Sequence, residues 1–218
     1  MATAHRTTPS LNAPLATGRG STPYRATANL VGVLFLTSTA TFVAGSRLLN
    51  SYFSGGAGNA SLLAGVVLEA YTGLAVAGIG WAMLALLNRF HRSFARAYLI
   101  LRVLECVAIL GAGTYMLSTE REFVNYDLMI YSFTATGGIC FAYVLHRSRL
   151  IPRTLARLGL GGYIVLLIGI PTALSGVVDI NEGIGTAFFV PGGLFELVLP
   201  FFLFFKGFTL DEGPERTR

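Results

Sequence analysis

Residues 95–117 read ARAYLILRVLECVAILGAGTYML, and this stretch decides how the rest of the chain is interpreted. Apart from Arg96 near its start, its only charged residues are Arg102 and Glu105. A helix of about 20 mostly apolar residues crosses the hydrocarbon core of a bilayer and satisfies its own backbone hydrogen bonds there. The length and apolar content of this stretch therefore predict a transmembrane helix.

Other stretches of the chain have a similar length and apolar character. The chain is 53% hydrophobic and 12% charged, whereas a soluble domain has about 25% charged residues. We therefore predict an all-α, polytopic membrane protein that is a bundle of six transmembrane helices in a lipid bilayer. The predicted transmembrane segments are residues 26–49, 61–87, 95–117, 127–146, 158–178 and 185–205.

The basic residues predict how these helices cross the membrane. Thirteen of the 16 lysines and arginines lie in the two tails, in the second loop and in the fourth loop, whereas the opposite side has only Arg47 and Arg121. Cytoplasmic loops carry an excess of Lys and Arg. Both termini are therefore expected in the cytoplasm of a multi-pass protein of the cell membrane. The predicted domains are a disordered tail (1–25), the transmembrane domain (26–208) and a short tail (209–218).

Four charged residues lie deep inside the predicted segments, namely Glu69, Arg102, Glu105 and Glu196. Such residues mark functional sites by default because charge is costly in hydrocarbon. Arg102 and Glu105 are three residues apart, so they share a helix face and can pair, with Tyr98 one turn earlier. At about 1.5 Å per residue, Glu105 and Glu196 both lie about 15 Å from the cytoplasmic side. We therefore expect Arg102, Glu105 and Glu196 to form one cluster between the third and sixth helices.

The cluster would carry one net negative charge if all three side chains were ionised. Burial and nearby like charges both disfavour the ionised form of a carboxyl group. We therefore expect Glu105 and Glu196 to share at least one proton near neutral pH.

Glu69 is the fourth ionisable residue and a secondary candidate. It lies about 27 Å from the cytoplasmic end of its segment, which places it in the outer part of the membrane. Arg47, Arg121 or external water are its expected partners. Small residues such as Gly65 and Gly73 lie on or near its face and let helices approach closely, so Glu69 is expected to point into the bundle.

The sixth segment contains residues 191–193, Pro-Gly-Gly, directly before Glu196. Proline removes a backbone donor, and broken helices next to a charge recur in transporter sites. The same residues are also compatible with an ordinary kink that improves helix packing.

The sequence lacks the motifs that are typical of several classes of enzymes and of metal-binding proteins. No zinc-binding spacing, nucleophile elbow, phosphate-binding loop or dinucleotide fingerprint is present, so we expect no cofactor, no metal and no catalytic residues. The basic residues lie in short loops beside apolar segments, which favours lipid headgroups and excludes nucleic acid as the partner. Cys106 and Cys140 are interpreted as packing residues. An enzyme that acts on lipids is the least favoured function.

Three stretches resemble a family of bacterial integral membrane proteins, domain of unknown function 4386. They are AYLILRVLE (97–105), LIPRTLARLGLGG (150–162) and PGGLFE (191–196), the last running on to Lys206-Gly207-Phe208. They are similar to that family's Arg-x-x-Glu helix, Ile-Pro-Arg loop and final Glu-bearing helix. The resemblance implies a multi-pass protein of the bacterial inner membrane and brings no established activity.

Two functional hypotheses follow from the ionisable residues. In the first, the protein binds or transports a small molecule or ion, Glu196 takes up and releases a proton or cation, and Arg102 holds Glu105 ionised. In the second, the protein is a structural or accessory membrane subunit without transport or catalysis. The same residues are then a fixed clamp, and the outer surface contacts a membrane protein partner or a second copy of the chain.

Overall fold

The computed structural model describes residues 22–208, and the regular structure in this range is helical throughout. Six α-helices occur in this range, with a 3-10 helix (Gly183–Phe188) before the last of them. They are α1 (Thr22–Phe53), α2 (Asn59–Asn88), α3 (Arg92–Thr119), α4 (Tyr126–Ser148), α5 (Arg153–Leu174) and α6 (Val190–Phe205). Most of the two predicted tails lies outside the described residues.

Five of these helices, α1 to α5, are long and apolar enough to cross a membrane. Helix α6 is apolar but has 16 residues. It is therefore about 24 Å long, which is less than a hydrocarbon core of about 30 Å. The structure thus contains five helices of spanning length, and the predicted sixth segment is divided between the 3-10 helix and α6.

The last two predicted segments have wrong boundaries, and turn residues explain why. Helix α5 begins directly after Pro152 and ends at Leu174, whereas the prediction was 158–178. Gly176 follows with a φ of +72°, a backbone conformation that ends helices and favours glycine. Helix α6 has Pro191 in its first turn, where the missing N–H has no cost. The Pro-Gly-Gly stretch therefore starts a helix and does not kink a continuous one.

The six helices form a closed ring in the order of the chain. Each helix packs against the next, and α6 packs against α1 to close the ring. Helices α3 and α6 are therefore not neighbours around the ring, so a cluster of Arg102, Glu105 and Glu196 between them has to form across the ring interior. Their side chains meet only across the interior of the ring.

The two ends of the ring differ in charge. The basic end comprises the start of α1, the α2–α3 and α4–α5 connections and the end of α6. The acidic end comprises the other three connections and carries the acids Glu120, Glu122, Asp127, Asp179 and Glu182. Because consecutive helices run in opposite directions, the charges separate as the sequence predicts.

A large apolar cluster fills the ring at its basic end. Tyr98, Phe141 and Phe195 lie at its centre and are fully buried. The cluster takes residues from all six helices, including Val31, Met83, Leu145, Ala156 and Leu203. The acidic end has only two smaller clusters, which lie on opposite parts of the ring. The packing therefore closes the basic end and leaves room nearer the acidic end.

Helices α5 and α6 cross in backbone contact at Gly162. A methyl group on Gly162 would lie 2.5 Å from the backbone nitrogen of Gly192 and 2.7 Å from the carbonyl carbon of Pro191. Small residues at such crossings let helices pack closely in membranes. Neither backbone atom can move without shifting the start of α6.

We predict that Gly162→Ala lowers the free energy of unfolding by about 1–3 kcal/mol, the usual cost of overpacking. Thermal unfolding in mild detergent measures the effect. Gly161→Ala is the matched control, because the neighbouring position has no atom within 4 Å of an added methyl group. Equal melting temperatures for the two variants would contradict the α5–α6 contact.

Candidate functional site

A cavity of about 320 Å³, here called the inner cavity, lies inside the ring and is lined by residues from all six helices. Its walls are mixed, with aromatic rings such as Phe35 and Phe42 beside polar groups. The polar and charged lining residues are Ser38, Thr39, Ser46, Arg47, Asn50, Thr72, Arg102, Glu105, Asp127, Thr134, Asn181 and Glu196. The three residues predicted to form one cluster therefore share one cavity.

Arg102 and Glu105 form a buried ion pair on α3. Arg102 Nη1 donates to Glu105 Oε2 at 2.6 Å, and each residue is only 2% exposed. Thr134 on α4 donates to the other carboxylate oxygen, Glu105 Oε1, at 2.6 Å. Each carboxylate oxygen of Glu105 thus accepts one hydrogen bond, and the donor to Oε2 is the cationic guanidinium of Arg102. The negative charge of Glu105 is compensated locally.

Tyr98 supports this pair from the apolar side. The guanidinium carbon of Arg102 lies 5.3 Å from the centre of the Tyr98 ring, within the range of a cation–π contact. The Tyr98 ring in turn stacks on Phe141 at 4.8 Å. The structure therefore places Tyr98 in the apolar cluster and beside Arg102, which lines the inner cavity.

Two glycines make room for Arg102. A methyl group on Gly80 would lie 3.1 Å from Arg102 Cβ, and one on Gly137 would lie 3.9 Å from Arg102 Nε. The Nε–H has no hydrogen-bond partner among the described residues. The guanidinium is thus enclosed by α2 and α4 and keeps donor capacity that the ion pair does not use.

Glu196 lies in the second turn of α6, on the opposite side of the inner cavity. Tyr163 on α5 donates its hydroxyl to Glu196 Oε1 at 2.8 Å. The Tyr163 ring is held against α4, since a methyl group on Gly138 would lie 2.5 Å from it. Arg102 and Glu105 form the only ion pair within residues 22–208. In this range, Glu196 therefore has no basic group within 4.0 Å.

Glu69 belongs to a different contact, near the acidic end. It is 1% exposed and accepts hydrogen bonds from Ser46 Oγ at 2.9 Å and from Tyr126 OH at 3.2 Å. The prediction that Glu69 points into the bundle is confirmed. The expectation that Arg47 or Arg121 is its partner is wrong. The close approach of Gly45 and Gly65 brings Ser46, and not the exposed Arg47, opposite Glu69.

A second cavity of about 410 Å³, here called the outer cavity, lies at the acidic end. Its walls include the carboxylates of Glu122, Asp127 and Asp179 and include no lysine or arginine. Four residues line both cavities, namely Ser46, Asn50, Asp127 and Asn181. The outer cavity is therefore acidic and adjoins the inner cavity.

Asn181 closes the boundary between the two cavities from the α5–α6 connection. Its side-chain amide donates to Asp127 Oδ2 at 2.8 Å, and its carbonyl oxygen accepts from Tyr131 OH at 3.1 Å. Both partners lie on α4. The α5–α6 connection is thus tied to α4 by side-chain hydrogen bonds.

The sequence reasoning missed Tyr163 and Thr134, which bind the two glutamates. A hydroxyl in an apolar segment gives a weak signal because it is tolerated there without a special partner. Ser132, for example, donates only to the backbone oxygen of Leu128 on its own helix, at 2.7 Å. Within residues 22–208, no three His, Cys, Asp or Glu side chains are grouped so that they could hold a metal ion.

We predict that Arg102→Met lowers the free energy of unfolding by about 3–5 kcal/mol, because removing one partner of a buried pair leaves an uncompensated charge. The double variant Arg102→Met/Glu105→Gln should recover most of this loss. Arg96→Met, at an exposed position on the same helix, is the control. Thermal unfolding in detergent gives the comparison, and an unchanged melting temperature for Arg102→Met would rule out a stabilising pair.

Comparison with known proteins identifies one family. No curated protein and no solved structure was found to match the chain. The family model described as Domain of unknown function (DUF4386) matches residues 121–207. This range includes α4, α5 and α6, with Thr134, Tyr163 and Glu196, and it excludes the Arg102–Glu105 pair. The resemblance predicted from the sequence motifs is thus confirmed for residues 121–207, which match the DUF4386 family.

Proposed function

We propose that this chain is a multi-pass membrane protein that binds a small cation or a proton at Glu196 in the inner cavity, as one step of its transport. The observation that supports this most directly is the position of Glu196. Its carboxyl group lines a cavity of about 320 Å³ and accepts a hydrogen bond from the neutral Tyr163 hydroxyl, while no basic group of the described residues lies within 4.0 Å of it. A carboxylate at membrane depth needs a proton, a counter-charge or water. A proton or cation from the cavity meets this need.

The neighbouring charges favour a positive ligand. Arg102 compensates Glu105, so that pair contributes no net charge to the inner cavity. Glu196 and Asp127 remain as acids, and Arg47 remains as a base near the acidic end. A ligand at Glu196 therefore meets a carboxylate on one side and a neutral ion pair on the other.

The direction of access follows from packing. The apolar cluster fills the basic end of the ring, whereas the inner cavity shares four lining residues with the acidic outer cavity. Fixed carboxylates along an entrance raise the local concentration of cations. We infer that the ligand enters from the acidic end.

The proposed topology places the basic end in the cytoplasm, with six crossings and both termini inside, in the cell membrane of a bacterium. The excess of arginine at that end supports this orientation. In this topology the 3-10 helix and α6 together complete the sixth crossing. The proposed domain is residues 26–208, flanked by cytoplasmic tails 1–25 and 209–218.

The start of α6 provides a place for movement. The 3-10 helix ends at Phe188, and Gly192 and Gly193 line the inner cavity within the first turn of α6. Interrupted helices next to a charged site are typical of transporters. A change in the charge of Glu196 would act on this short helix directly.

A structural or accessory subunit is the second candidate, and the Arg102–Glu105 contact favours it. Each residue of the pair is 2% exposed, and Arg102 packs against α2, α4 and Tyr98, as a fixed clamp requires. In that case a partner protein or a second copy of the chain would bind the outer surface. The two candidates differ in the role of Glu196.

We predict that ionisation of Glu196 controls entry of cations into the inner cavity. Thr39→Cys, in a background in which Cys106 and Cys140 are replaced by Ala, places a thiol in the cavity wall. In this protein, the labelling rate by a cationic thiol reagent relative to a neutral one should rise with pH, because an ionised Glu196 attracts the cation. The ratio cancels the pH dependence of the thiol itself.

Adding Glu196→Gln should remove this rise, and adding Glu120→Gln, in the loop after α3, should leave it unchanged. A ratio independent of pH in the parent protein would contradict the proposal. The same conclusion would follow if Glu196→Gln retained the full rise.

We predict the sidedness of the basic and acidic ends from single cysteines labelled on intact cells with a membrane-impermeant reagent. Asn59→Cys and Glu182→Cys should react from outside, whereas Ser93→Cys should react only after permeabilisation. Lys206→Cys should also require permeabilisation, because the sixth crossing returns the chain to the cytoplasm. Reaction of Lys206→Cys on intact cells would show that α6 does not complete a crossing.

A further inference from the structure

An apolar groove lies on the outside of the ring between α5 and α6, at the basic end, and has a volume of about 530 Å³. Leu158 on α5 and Val198, Phe201 and Phe205 on α6 form its walls. Phe205 is 78% exposed and Phe201 is 53% exposed. The groove is thus separate from the inner cavity and opens towards the surroundings of the ring.

One end of the groove is polar. Helix α5 begins where α6 ends, so Thr154 and Lys206 lie together at this end. Lys206 is exposed and forms no ion pair within the described part of the chain. Val198 lies eight residues before Lys206, so the apolar wall runs about 12 Å into the membrane from the lysine. The polar end is therefore at the level of lipid headgroups, and the apolar wall is at the level of acyl chains.

The basic residues around the groove favour a lipid headgroup with a net negative charge. Arg153 and Arg157 are exposed on α5 beside the groove, and no aspartate or glutamate lies at this end of the ring within residues 22–208. A zwitterionic headgroup would bring its cation into this basic surface. An anionic headgroup brings only a phosphate, to which an ammonium and a hydroxyl donate hydrogen bonds.

We propose that the groove between α5 and α6 binds one anionic phospholipid. Its phosphate contacts Lys206 and Thr154, and one acyl chain lies along Leu158, Val198 and Phe201. The complementarity of charge and the order of polar and apolar walls both support this occupant. Basic pockets between transmembrane helices on the cytoplasmic side are known to bind such headgroups. The inference does not depend on any role of Glu196.

Native mass spectrometry of the full chain in detergent tests the proposal, with phosphatidylglycerol and phosphatidylcholine of identical acyl chains as probes. The unmodified protein should bind one phosphatidylglycerol more tightly than phosphatidylcholine. Lys206→Gln should reduce this preference about fivefold, the effect of one basic side chain near a charged lipid surface. Lys206→Arg should keep the preference, and Arg121→Gln, at the acidic end, should leave it unchanged.

A second variant tests the apolar wall. Val198 is 40% exposed, so Val198→Trp fills the groove from the lipid side without disturbing the core. It should weaken binding of both lipids. The proposal is overturned if the two lipids bind equally to the unmodified protein, or if Lys206→Gln keeps the full preference. It is also overturned if Val198→Trp leaves phosphatidylglycerol binding unchanged, since the acyl chain would then lie elsewhere.

Discussion

The cost of an uncompensated charge inside a bilayer is the constraint on which the interior of this protein depends. The four charged side chains that lie deepest in the apolar helices, Glu69, Arg102, Glu105 and Glu196, are compensated in different ways. Arg102 and Glu105 form an ion pair at 2.6 Å. Glu69 is sealed and accepts hydrogen bonds from two hydroxyls. Glu196 has one neutral donor and faces a cavity. Of these three acids, Glu196 is therefore the one that lines the inner cavity with a single hydrogen bond from a described side chain.

The ring of helices explains how this difference arises. Close contacts at Gly45 and Gly65 seal Glu69 between α1 and α2. Tyr98 belongs to the apolar cluster at the basic end, and its ring contacts the guanidinium of Arg102. Tyr163, which donates to Glu196, belongs to the same apolar cluster, and Glu196 lies in the second turn of the 16-residue α6. Glu196, with its single hydrogen bond, thus lies near the start of the shortest of the six α-helices in the described range.

Much of this fold could be predicted from hydropathy, because membrane helices are selected by length and apolar content. The segments predicted at 61–87, 95–117 and 127–146 agree with α2, α3 and α4 to within three residues at either end. Hydropathy failed for α5 and α6, where backbone turns at Gly176 and Pro191 set the ends. The charged site residues could be recognised from the sequence because placing a charge in hydrocarbon costs free energy. Their hydroxyl partners could not, since only packing decides whether Thr134 binds Glu105 or, like Thr136, the backbone of its own helix.

We propose that Glu196 exchanges a proton or cation with the solution at the acidic end of the ring. Infrared difference spectroscopy of the protein in lipid measures this directly, because a protonated carboxyl group has a carbonyl stretch that an ionised one lacks. Proton exchange at Glu196 predicts a pH-dependent carbonyl band in the unmodified protein that Glu196→Gln removes and Glu120→Gln retains. An identical pH response in the unmodified protein and in Glu196→Gln would contradict it.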